Sequence, residues 1–114
     1  MGKLGPAVVV LVRFPFSDLS ATKLRPALVV AEAGQSDWVL CQITSNAYGD
    51  PRSVAIPKDS FATGGLMRDS FVRPGKLFTA NEGIVVRSVG QLSSNAHRSV
   101  VEGIVASLRG EAVQ

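Results

Sequence analysis

A chain of 114 residues with 46% apolar and 18% charged residues is a folded protein with one core; it is neither disordered nor large enough for two domains. Its longest apolar run, Ala7 to Val12, is too short to cross a bilayer, and no small-residue cleavage site follows it as in a secretory signal. The single cysteine, Cys41, has no partner for an intrachain disulfide, so the composition fits a reducing cytoplasm.

Val8 to Phe16 reads as a buried strand, β-branched and ended by Pro15 and a polar loop. That loop, Ser17 to Leu24, leads to Arg25 and Pro26. The proline pushes Arg25 into extended backbone and aims its guanidinium from a defined position. A second strand is expected over Leu28 to Ala31, a turn over Ala33 to Asp37, and a third strand over Trp38 to Thr44. Asn46 to Arg52 is a loop, Ser53 to Ile56 a short strand stopped by Pro57, and Gly64-Gly65 a turn. Asp69 to Val72 reads as a strand that bends at Pro74-Gly75 and resumes at Lys76 to Thr79. Ile84 to Val89 is short extended or helical structure. The chain ends in a helix with Ser93 or Ser94 as N-cap and Gly110 as its stop. Ala96, Val100, Val101, Ile104, Val105 and Leu108 make one apolar stripe for burial. Short strands followed by one helix predict a mainly β fold, a small SH3-like antiparallel barrel with a C-terminal helix.

The net charge of +3 is unevenly spread: residues 1–30 carry +3 and residues 50–80 carry +2, while 31–49 carry −2 and 81–114 are neutral. Two cationic, loop-rich regions suit a polyanion, although a merely basic surface gives the same pattern. One histidine, one cysteine and no acidic cluster leave neither a metal cage nor a nucleophilic triad. His97 reads as a packing or surface residue, and Trp38 as core. What remains is arginine and hydroxyl chemistry. Arg25 can stabilise a pentacoordinate phosphate, or can serve a surface salt bridge with Asp18 or Glu32. Thr44 and Ser45 emerge at a strand end, where hydroxyls can donate to a phosphoryl oxygen or simply form a turn. Arg73 and Lys76, around Pro74-Gly75, can grip phosphates or keep an edge strand soluble. Tyr48 could stack on a base.

The order of these pieces resembles the MazF/PemK family of toxin endoribonucleases over Val9 to about Leu108. They run Val10-Leu11-Val12-x-Phe14-Pro15, Arg25-Pro26-Ala27-Leu28-Val29-Val30, Ile43-Thr44-Ser45, Gly65-Leu66, Ser70-Phe71-Val72-Arg73, Lys76-Leu77-Phe78-Thr79 and Val89-Gly90-Gln91-Leu92. The resemblance implies a single toxin domain over 1–114, a homodimer, a cognate antitoxin and metal-free cleavage of single-stranded RNA in a bacterial cytoplasm, with no cofactor. It assigns catalysis to Arg25 and Thr44, with Ser45 beside them, and orientation of RNA to Ser17, Ser20, Thr22 and Lys23. Arg73 and Lys76 add phosphate binding. Where some members carry an acidic residue or glutamine after the equivalent of Val72-Arg73, this chain has Pro74, Gly75 and Lys76, which leaves the general base unassigned. Two other functions fit a barrel of this kind: a catalytically silent binding module, and a gyrase poison like the CcdB toxins. The poison needs an exposed apolar C-terminal anchor, which Gly110-Glu111-Ala112-Val113-Gln114 does not supply.

Overall fold

The structure is a computed structural model that describes residues 4–15, 22–47 and 49–111. Seven strands, β1 (Val8–Pro15), β2 (Thr22–Gly34), β3 (Asp37–Thr44), β4 (Val54–Ile56), β5 (Phe61–Gly64), β6 (Ser70–Asn81) and β7 (Val85–Leu92), form one antiparallel sheet. Its order is β4-β6-β3-β2-β1-β7-β5, and it curls into a half-barrel followed by helix α1 (Ser94–Leu108). The mainly β, barrel-like architecture expected from the sequence is therefore present.

Buried residues alternate between two clusters along each central strand. Val9, Leu28, Cys41 and Ile43 belong to one, which also holds Val72 and the helix residues Val100 and Ile104. Val10, Val12, Ala27, Val29, Leu40 and Val85 belong to the other, against which Trp38 and Phe78 pack. A sheet buried on both faces explains why its strands read as nearly continuous apolar runs.

β2 is much longer than the expected Leu28 to Ala31. It starts at Thr22 and pairs with β1 through Phe14↔Lys23, Val12↔Arg25 and Leu11↔Pro26. Pairing with β3 begins only at Ala27↔Gln42, so Pro26 lies where β2 has a single neighbour, the edge-like position a proline tolerates. The β2–β3 hairpin closes through Gln35 (φ 54°) and Ser36 (φ 67°), both left-handed as a two-residue turn with the right twist requires.

The bend at Pro74-Gly75 is a bulge within one strand. β3 pairs with β6 at Cys41↔Leu77 and next at Ile43↔Val72, which leaves Arg73, Pro74, Gly75 and Lys76 looped out of the ladder. Of the segment Ile84 to Val89, Val85 onward is extended and belongs to β7, which runs on to Leu92, whereas Ile84 closes a 3-10 turn over Glu82–Ile84. β5, which follows a 3-10 turn over Lys58–Ser60, was not anticipated. The helix begins as expected, with Ser93 Oγ accepting the Ala96 N–H at 3.2 Å, and gives way to Gly110 at φ 72°. Its stripe is only half buried. Val100 and Ile104 enter the core, whereas Val105 is 37% and Leu108 75% exposed, because the sheet covers one narrow face of the helix.

Candidate nucleic-acid interface

Arg25, Thr44, Ser45 and Arg73, distant in sequence, line a single open groove of about 870 Å³. Strand register explains the convergence. Extending the Ala27↔Gln42 pairing by two residues brings Thr44 alongside Arg25, at the end of β2 where Pro26 stops the β3 ladder. Thr44 in turn pairs with Phe71 of β6, two residues before Arg73.

The strand-end hydroxyls are not equivalent. Thr44 Oγ1 donates to the Asn46 carbonyl at 3.0 Å and accepts the Asn46 N–H at 3.1 Å, a side-chain turn that holds the chain leaving β3. Ser45 is exposed and makes no hydrogen bond through its hydroxyl among the described residues. Arg73 is held on both sides. Its Nε donates to Asp50 Oδ2 at 2.9 Å, and its carbonyl accepts from the Cys41 thiol at 3.0 Å. The Arg73 hydrogen bond, helped by the Arg52 N–H on Asp50 Oδ1, keeps the Asp50 carboxyl below its usual pKa. Burial pushes the Cys41 thiol up to about 12, so it stays a neutral donor.

Lys23 and Lys76 are exposed but do not line the groove; of the residues in the bulge, Arg73 alone lines it among the described residues. Thr22 starts β2 opposite Pro15. Ser17, Ser20 and Tyr48 lie outside the described residues. His97, whose pKa burial lowers, is on the helix and takes no part in the groove lining. The lining also includes residues that the sequence does not mark as site candidates, among them Gln42, Met67, Arg68, Arg87 and Ser88. Arg87 had a legible signal, since Val85-Val86-Arg87-Ser88-Val89 is strand-like in composition. Arg68 and Met67 sit in the loop before β6, and nothing local marks them.

Among the described lining residues there are four arginines (Arg25, Arg68, Arg73 and Arg87) and no aspartate or glutamate. No three His, Cys, Asp or Glu side chains come together among the described residues. The chain is thus a small β protein, a half-barrel whose open groove is lined by arginines and strand-end hydroxyls. The narrower identity follows from a family profile. The one described as "PemK-like, MazF-like toxin of type II toxin-antitoxin system" matches residues 5–108, so the chain belongs to that family of endoribonuclease toxins. No characterised protein matches the chain by sequence comparison alone.

Solved structures agree on the fold. The Deinococcus radiodurans MazE-MazF complex is similar with TM-score 0.72 and 19% identity, covering 97% of this chain and 100% of that one. The Mycobacterium tuberculosis toxin MazF-mt6 is similar with TM-score 0.65 and 18% identity, covering 90% and 98%. A mycobacterial endoribonuclease in complex with its cognate antitoxin has TM-score 0.69 and 14% identity, covering 91% and 93%. At such identities the likeness establishes the fold. Among the described residues no helix is long and apolar enough to cross a membrane.

Proposed function

We propose that the protein is a toxin that cleaves single-stranded RNA without a metal, in the bacterial cytoplasm, and that a cognate antitoxin neutralises it. The observation that carries this is the groove, where four arginines and two strand-end hydroxyls converge with no carboxylate among its described walls. The ribose 2′-oxygen attacks the adjacent phosphorus, and the P–O5′ bond breaks. The products are a 2′,3′-cyclic phosphate and a 5′-hydroxyl, which takes up the proton equivalent lost from the 2′-OH. Arg25 stabilises the charge on the non-bridging oxygens of the pentacoordinate state. It is a poor base, since a guanidinium keeps its proton throughout the usable pH range. Ser45 donates to the phosphate directly. Thr44 does so after its hydroxyl leaves the Asn46 carbonyl, an exchange of one acceptor for a charged and stronger one. Arg73 grips a neighbouring phosphate while remaining tied to Asp50.

One feature favours a second reading, a silent binding barrel: among the described residues the groove lining holds no carboxylate or imidazole to take the 2′-OH proton. Incubating the chain and its Arg25→Ala variant with long single-stranded RNA in EDTA separates the two. Metal-free cleavage that falls by at least about 100-fold in the variant is expected, the size typical of losing a transition-state donor. RNA binding with no cut by the folded native chain would leave the silent barrel.

A further inference from the structure

The groove does not end at Arg25 and Thr44. Arg87 of β7 pairs opposite Leu11, and Leu11 opposite Pro26, so Arg87 lies in the cross-strand row of the residue next to Arg25, two strands away. At about 4.8 Å per strand the two backbones stand roughly 10 Å apart across the sheet. Arg87 is exposed and makes no ion pair among the described residues. The next two residues, Ser88 and Val89, line the main groove and also a second depression of about 320 Å³. The further walls of that hollow include Thr63 and Gln91, which are polar and uncharged. The two hollows therefore share a wall, and an arginine stands beside it.

We infer that this depression receives the base of a nucleotide flanking the cut, and that Arg87 holds the phosphate leading into it. The inference rests on the RNA-cleavage reading and adds a subsite to it. The chemistry matches at both ends. An unpaired guanidinium on a groove wall binds a phosphate oxygen pair, whereas uncharged hydroxyl and amide groups suit the edge of a base. Arg25 and the hydroxyls serve the reacting phosphate, so Arg87, set across β1 from them, meets the next one. Arg87 is thus a binding residue that contributes to holding RNA and not to the bond exchange.

The test uses an RNA with one mapped cleavage site, trimmed by single nucleotides from either flank, with Arg87→Ala and Arg87→Lys compared with the native chain. On the untrimmed RNA, Arg87→Ala should raise KM about tenfold and leave kcat within about twofold, while Arg87→Lys recovers part of the loss because the charge remains. The slope of log affinity against log salt should shrink by about 0.7, one phosphate contact on a single strand. Trimming one particular flank should erase the difference between variant and native chain. Losses that persist on the shortest RNA, a loss confined to kcat, or an unchanged KM would each overturn the inference. If the native chain cuts no RNA, the cleavage reading fails, and fluorescence anisotropy with the same trimmed series decides the subsite separately. There a length-dependent loss for Arg87→Ala supports it, and equal binding at every length overturns it.

Discussion

Cys41 links the core to the groove. Its side chain is wholly buried, and its thiol sits where the β3–β6 ladder breaks, donating to the carbonyl of Arg73 in the bulge. The bond ties the bulge that presents Arg73 to the core, a contribution of about 0.5–1.5 kcal/mol at most for so weak a donor. Burial raises the thiol pKa from 9.0 to about 12. In the unfolded chain the thiol ionises first as pH rises, so the unfolded state binds fewer protons and stability falls. The contribution is intact below about pH 9 and is lost as pH climbs towards 12. Urea titrations of the native chain should show stability falling more steeply over that window than in Cys41→Ala, with a limiting difference of about 1.4 kcal/mol per pH unit. Parallel slopes would mean that the folded protein ionises the thiol freely. The residues that matter to the groove were legible to different degrees. Arg25 and Thr44-Ser45 announce themselves through Pro26 and through their place at strand ends. The role of Thr44 in its own turn, and the tie from Arg73 to Asp50, are matters of side-chain direction that no spacing in the sequence records.

At the scale of elements, β5 depends on β7 through two glycines. Gly64 has φ +64° and Gly90 packs against it; a Cβ on Gly90 would lie 2.8 Å from the Thr63 carbonyl oxygen and 2.9 Å from the Gly65 nitrogen. The neighbours are backbone and cannot rotate away. Gly90→Ala should therefore destabilise the fold by about 3 kcal/mol, the upper end for overpacking, by forcing β5 from its partner. Gly75→Ala is the contrast, since nothing lies within 4 Å of the added carbon and the backbone there is not left-handed. Urea midpoints for the two variants, at unchanged m-value, give the comparison; similar midpoints would show that β5 moves aside without cost. The same packing explains what the sequence conceals. β5 is four residues long and ends in glycine, so its identity as a strand comes from β7, almost thirty residues later. The start of β2 is hidden because Arg25-Pro26 looks like a loop exit until β1 supplies its ladder. Capping is local, which is why the helix boundaries at Ser93 and Gly110 could be placed from the sequence.

At the scale of the whole molecule, the groove gathers cations from β2, β6, β7 and the loop between β5 and β6, although the net charge is only +3. Concentration on one surface, more than the sum, sets the field that a polyanion meets. A groove that takes RNA, as proposed, would equally take an acidic, extended protein segment that orders as it binds, which is how the proposed antitoxin would silence it. Such a segment must cover Arg25 if it is to block cleavage by the mechanism above. On this reading the chain sediments alone as a homodimer, at twice 12.0 kDa, and binds its antitoxin with an affinity that falls as salt is raised. Hydrogen exchange on the complex should then slow in the backbone around Arg25 and Ser45 and leave the exposed end of the helix near Leu108 unchanged. A complex protected only at the helix, or a species sedimenting at 12.0 kDa alone, would separate inhibition from the groove and require another surface to carry the assembly.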